Sequence, residues 1–145
     1  MFMTTESSVC IFSLTDKDIP KAKDMDNAVE WLKNKGENPH YLRFSKPEGV
    51  IKESKVLFLF NSRIFGEATV KESPVALEST EQKQLKQSED ILYRYKMKFY
   101  GHTIKIYKYH PTKDEVTDKL KIKFTRLYTY LTSKQYKDLL KMAKM

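Results

Sequence analysis

Val56-Leu57-Phe58-Leu59-Phe60-Asn61-Ser62-Arg63-Ile64-Phe65-Gly66-Glu67-Ala68-Thr69-Val70 consists of two apolar runs flanking a polar tripeptide. That pattern predicts a β-hairpin with a three-residue turn at Asn61-Ser62-Arg63. The first run is apolar at every position, so it is expected to be buried on both faces, as in a small closed barrel. Gly66 stands where a strand normally carries a side chain, which predicts a bulge or a close approach of another element to the backbone.

Upstream, Val9 to Leu14 reads as a first strand. Asp26 is a suitable N-cap for a helix carrying Ala28, Val29, Trp31 and Leu32, which Gly36 would end. His40 to Ser45 reads as a second strand, and Pro47 and Gly49 mark the loop into the hairpin. Trp31, on an amphipathic helix, is read as a core residue before a stacking platform.

Downstream, Thr80 is placed as the cap of a polar helix over residues 81–88. Ile91, Tyr93, Tyr95, Met97 and Phe99 then alternate with Leu92, Arg94, Lys96 and Lys98, the cleanest period-2 pattern in the chain. A turn at Tyr100-Gly101-His102 leads to a partner strand, Thr103 to Tyr109. Val116 to Ile122 reads as one or two helical turns, and Phe124 to Leu131 is open between strand and helix. Thr132 or Ser133 caps a last helix with Tyr136, Leu139, Leu140 and Ala143 on one face. One α+β domain over residues 1–145 is the simplest organisation.

The 145 residues are enough for one core, and 12% aromatic content argues against disorder despite 32% charged residues. No apolar run approaches the roughly 18 residues of a membrane span, and the polar start, Met1 to Ser8, predicts no signal peptide. Cys10 is the only cysteine, which favours a reducing, cytoplasmic setting. Residues 1–80 hold 11 Lys/Arg against 12 Asp/Glu, whereas residues 81–145 hold 16 against 7. The net +8 therefore lies in the C-terminal part, interleaved with aromatics, as expected of a nucleic-acid binder. Lysine-rich solvated faces are the alternative reading.

Signals of catalysis are weak. His40, His102 and His110 are dispersed, so no metal site is expected, and no phosphate-cradling glycine motif is present. No cofactor is expected. Cys10 reads as an inert core thiol, and the Asp16/Asp18 and Asp24/Asp26 pairs read as loop and capping groups before acid–base groups. Binding signals are stronger. If Tyr93, Tyr95 and Phe99 face the core, then Arg94, Lys96 and Lys98 form a basic ribbon that Lys105 and Lys108 extend, suited to phosphates.

The segment Lys55 to Val70, "KVLFLFNSRIFGEATV", resembles the central hairpin of the PUA-like superfamily, in its EVE, YTH and ASCH branches. The order of upstream elements is similar too. This resemblance implies a small twisted mixed β-barrel flanked by short helices, acting as a non-catalytic module that binds RNA or DNA. In such modules a flipped, modified base sits in a pocket between the first strands. Carried onto this chain, the resemblance assigns the pocket to Ser13, Thr15, Asp16, Tyr41, Arg43 and Phe44, with no tryptophan in the second strand for a methyladenine cage. Phosphates would meet Arg63, Arg94, Lys96, Lys98, Lys105 and Lys108. The expected partners are nucleic acid, and a nuclease or motor subunit as in modification-dependent restriction, with no membrane. An ASCH-like nuclease or hydrolase using Asp16, Lys17 and Tyr41, and a protein-interaction subunit, are the competing readings.

Overall fold

The computed structural model describes residues 8–19, 22–43, 45–85, 93–125 and 127–144. The hairpin is its spine. β3 (Lys55–Phe60) and β4 (Arg63–Ala76) run antiparallel, joined by a turn of two residues rather than three. Asn61 and Ser62 both adopt left-handed backbone, φ 49° and 62°, the pattern of a primed turn that matches strand twist. Arg63 is consequently the first residue of β4, opposite Phe60.

Gly66 fulfils both expectations placed on it. Pairing slips between Phe58–Gly66 and Leu59–Ile64, leaving Phe65 as the extra residue of a bulge. A Cβ on Gly66 would lie 2.6 Å from the Lys105 carbonyl oxygen and 2.7 Å from Leu32 Cδ2. Only a bare backbone admits both neighbours.

Around the hairpin the strands β1 (Val9–Ser13), β2 (His40–Leu42), β5 (Tyr95–Phe99), β6 (Lys105–Ile106) and β7 (Tyr128–Leu131) complete a mixed sheet in the order β2-β5-β4-β3-β1-β7. β1 and β3 are parallel, and the other pairs are antiparallel. β6 pairs with β4, not with β5 as the alternating pattern suggested. A 3-10 turn over Gly101–Thr103 carries the chain across to that strand.

The sheet curls so that its two ends face each other without a backbone ladder between them. Side chains span the gap. Phe12 of β1 stacks on His40 of β2 at 6.0 Å. The Tyr128 hydroxyl donates to the Ser45 carbonyl and the Tyr130 hydroxyl to that of Glu48, each at 2.8 Å. A twisted mixed sheet flanked by helices is thus formed, but it does not close into the expected barrel: among the described residues side chains and no backbone ladder span the gap.

Both faces are covered, which is why β3 is apolar from Val56 to Phe60. Val56, Phe58 and Phe60 join Cys10, Phe12, Phe65 and Phe99 under α1 (Met25–Lys33). Leu57 and Leu59 join Ile11 and Ile64 under α3 (Lys113–Leu120) and α4 (Ser133–Met142). Asp24, not Asp26, caps α1, accepting the Asn27 N–H at 3.0 Å. Thr112 and Thr132 form reciprocal capping boxes with Glu115 and Gln135. α2 (Ser79–Leu85) buries no side chain, as its polar sequence predicts. Among the described residues no helix is long and apolar enough to cross a membrane.

A carboxylate is buried in the second face. Glu67 is 1% exposed and accepts hydrogen bonds from the hydroxyls of Tyr107 and Tyr136 at 2.9 and 2.8 Å. Lys55 Nζ stands 3.3 Å away. Three donors compensate the desolvated carboxylate, and Tyr136 thereby fastens α4 to the sheet.

Candidate functional site

The seam that lacks a ladder is also where the molecule opens. β1 ends at Ser13 and β2 at Leu42, and the chain reaches Leu127 just before β7. Between them lies a mouth of about 370 Å³ lined by Ser13, Leu14, Thr15, Asp16, Lys17, Arg43 and Leu127. A throat of about 20 Å³ shares four of these residues, Ser13, Leu14, Arg43 and Leu127. It adds the more buried Phe12, Asp18, His40, Leu42 and Tyr128. The mouth is large enough for a small ligand, and the throat for one water-sized group.

An ion pair braces the rim. Arg43 Nε stands 3.0 Å from Asp18 Oδ1, and Nη2 donates to Oδ2 at 3.3 Å. Their side chains are 12% and 11% exposed, so water screens the pair little. Asp18 also accepts the Thr15 N–H at 2.8 Å, shaping the loop that forms one lip. The loop role expected of the Asp16/Asp18 pair is therefore met by Asp18.

His40 sits in the throat wall, 2% exposed. Besides Phe12, Trp31 and Phe99 surround it, each with its ring centre 5.8 Å away. Burial, reinforced by the Lys35 charge, holds the imidazole well below its usual pKa, so the ring is neutral at pH 7. Lys35 Nζ lies 4.5 Å from the centre of the Trp31 ring, and burial lowers its pKa to about 8. Trp31 is a core residue, as its helix pattern implied. Cys10 is fully buried, and desolvation pushes its thiol up to about 12, which makes it a poor nucleophile.

Of the residues assigned to the pocket from sequence, Ser13, Thr15, Asp16 and Arg43 line the mouth together. Tyr41 does not. It alternates with the buried His40 and Leu42 and packs instead against Tyr93, ring centres 5.6 Å apart. Phe44 lies outside the described residues. Sequence reasoning missed Asp18, His40, Leu127 and Tyr128 as lining groups. The Tyr128/Tyr130 alternation was the one signal available for the last of these.

The six cations assigned to phosphates do not form one ribbon. Lys96 is paired with Glu81 at 2.7 Å and Lys98 with Glu72 at 3.8 Å. Lys105 lies on β6, away from β5, because that strand joins β4. Lys108 and Arg94 are exposed, and Arg63 donates to the His110 carbonyl at 2.7 Å. Two grooves flank the mouth instead. One, of about 510 Å³, shares Leu127 with it and carries Lys46. The other, of about 540 Å³, shares Leu14, Thr15 and Asp16 and carries Lys23. Among the described residues Lys17, Lys23 and Lys46 are exposed and form no ion pair. No three His, Cys, Asp or Glu side chains gather there as a metal requires, again among the described residues.

No protein-family profile matches the chain. No curated protein matches it in sequence either. Solved structures do match over nearly the whole length. Human THYN1, solved in complex with 5-methylcytosine-containing DNA, superposes with a TM-score of 0.64 at 12% identity, over 96% of this chain and 99% of that one. The ASCH protein of Zymomonas mobilis gives 0.61 at 9% identity, covering 94% and 96%. The N-terminal domain of Thermococcus gammatolerans McrB, solved bound to 5-methylcytosine DNA, gives 0.55 at 12% identity, covering 94% and 97%. Identities this low speak to architecture alone. The chain shares its fold with the ASCH protein and THYN1, in line with the resemblance of its hairpin.

Proposed function

We propose that this chain is a non-catalytic module that binds nucleic acid and seats one extruded, modified base in the mouth beside β1. The observation that carries this reading is the position of the mouth. It opens at the seam of a fold shared with two proteins solved on 5-methylcytosine DNA, and Ser13, Thr15, Asp16 and Arg43 converge on it. Extruding a base costs a few kcal/mol, which contacts in the mouth and phosphate neutralisation offset. Lys17 at the mouth and Lys23 and Lys46 in the flanking grooves would meet the strand on either side. Arg63, Arg94, Lys105 and Lys108 extend contact to a longer duplex or strand. A nuclease or motor subunit is the partner such a specificity module would serve.

Binding to matched single- and double-stranded DNA and RNA, plain or carrying one modified base, tests the reading. A preference for a modified strand is the expected result. Equal affinity for all strands, or none at about 50 mM salt where phosphate contacts are strong, would remove it. The hydrolase reading requires Asp16, Lys17 and Tyr41 to act together, yet Tyr41 stands outside the lining. Turnover of labelled strands that Asp16→Ala abolishes would restore that reading.

A further inference from the structure

Ile51, Val75 and Tyr130 are the large hydrophobic side chains left exposed among the described residues, and Tyr130 alone of them carries a ring. Its hydroxyl is held by the Glu48 carbonyl, so the ring is anchored at one end while 44% of the residue stays open to water. Among the described residues no second ring and no cation packs on it. Tyr130 lines the groove of about 510 Å³ that shares Leu127 with the mouth and Tyr128 with the throat. Tyr128 and Tyr130 are alternate residues of β7, so they share a face of the strand about 7 Å apart. Lys46 and Glu48, both exposed and without an ion pair among the described residues, cancel each other's charge in this groove. The groove on the other side of the mouth offers no comparable surface, because its one ring, Phe60, is 4% exposed.

We propose that the exposed ring of Tyr130 is a stacking platform for the base next to the extruded one, so that the preferred partner is an unpaired strand rather than a duplex. This rests on the base-in-mouth reading above. A neutral base meets no net charge from Lys46 and Glu48, and its entry covers an aromatic surface that is otherwise wet. Every base has a π-face, so the platform accepts any neighbour and adds affinity without reading sequence. The bond to Glu48 restrains the ring before the ligand arrives, which lowers the entropy lost on stacking. In a duplex the neighbouring base is paired and stacked, and reaching Tyr130 would require a second extrusion. In a single strand it is free to turn onto the ring. The contact is one-sided, since the opposite groove has no exposed ring.

The test uses the full chain and short single strands, of DNA and of RNA, carrying one central 5-methylcytosine, followed by fluorescence anisotropy. The base on one side of it, then the base on the other, is replaced by an abasic sugar. One abasic position should weaken binding about tenfold, within the range of a base stacked on a ring, and the other should cost little. In Tyr130→Leu the intact strand should lose the same factor, and the sensitive position should fall silent. Tyr130→Phe keeps the ring without its bond to Glu48 and should retain most of the penalty. A duplex with the same central base should bind wild type and Tyr130→Leu alike, and an equal loss on the duplex would overturn the preference for an unpaired strand. A wild-type penalty below about twofold at both positions, or one that survives Tyr130→Leu, overturns the platform. The base-in-mouth reading then stands if 5-methylcytosine is still preferred to cytosine, whereas equal affinity for the two removes both. Should Tyr130→Leu not fold, the ring-proton shifts of Tyr130 in the wild type decide. They should move upfield with the intact strand and not with the sensitive abasic one, and the same shifts with both would refute the platform.

Discussion

Leu32 of α1 approaches Gly66 of β4 so closely that its Cδ2 would stand 2.7 Å from a Cβ there. The opposing neighbour is the Lys105 carbonyl at 2.6 Å, a backbone atom held by the β4–β6 pairing. Leu32 can rotate, but the carbonyl cannot move without breaking that pairing. Gly66→Ala is expected to cost about 1–3 kcal/mol by overpacking. A fall in the urea midpoint with unchanged slope would verify it, and a midpoint within error of wild type would contradict it.

Asp18→Asn keeps the shape of the lip and removes its charge. Arg43 then loses an ion pair largely hidden from water. A loss of about 1–3 kcal/mol is expected. A double-mutant cycle with Arg43→Ala should give a combined effect smaller than the two single losses together, whereas strict additivity would mean that the pair does not couple.

Charge reversal should separate the two sets of lysines. Lys17→Glu with Lys46→Glu removes cations beside the mouth and its groove, and should lower the salt slope of binding by about two. Lys96→Glu with Lys98→Glu should weaken binding less, since both lysines already face Glu81 and Glu72. Titrations at several salt concentrations compare them, and the reverse order would return the phosphate path to β5.

Lys35 should mark the alkaline side of the stability curve. Its pKa falls from the ordinary 10.5 to about 8 in the folded chain because burial disfavours the charge. Above pH 8 the unfolded chain binds the extra proton, so the lysine's contribution to stability rises with pH between about 8 and 10.5. Cys10, raised from 9.0 to about 12, works in the opposite sense above pH 9. The comparison therefore belongs between pH 8 and 9. There, the stability of wild type should climb relative to Lys35→Met, and parallel curves would show that the lysine does not titrate in that range.

Tyr136→Phe removes one of the donors to the buried Glu67 carboxylate. Tyr107 and Lys55 remain, so the expected cost is about 1–2 kcal/mol. Hydrogen exchange should locate it in α4, and equal loss of protection across the sheet would argue against a local clamp.

What could be read from the sequence follows physical range. β3 was legible because burial on both faces leaves an unbroken apolar run, and Gly66 because a missing side chain is visible in isolation. The turn was misjudged by one residue because Asn61 and Ser62 adopt left-handed backbone without a glycine to announce it. β6 looked like the partner of β5 because alternation reports extended backbone and says nothing of which strand receives it. Asp18 and Arg43 are 25 residues apart, and their meeting depends on how the sheet curls. His40 was hidden for another reason. In a three-residue strand no period can establish which side chains face inward.

The bonds from Tyr128 and Tyr130 to the Ser45 and Glu48 carbonyls carry a consequence for how such a molecule changes over generations. Strand register is held by backbone ladders elsewhere in the sheet, whereas side chains span the seam, two phenols and the Phe12–His40 stack among them. Substitutions along the seam can widen or narrow the opening while every ladder keeps its pairing. The width of the opening is thereby free to drift on an unaltered frame.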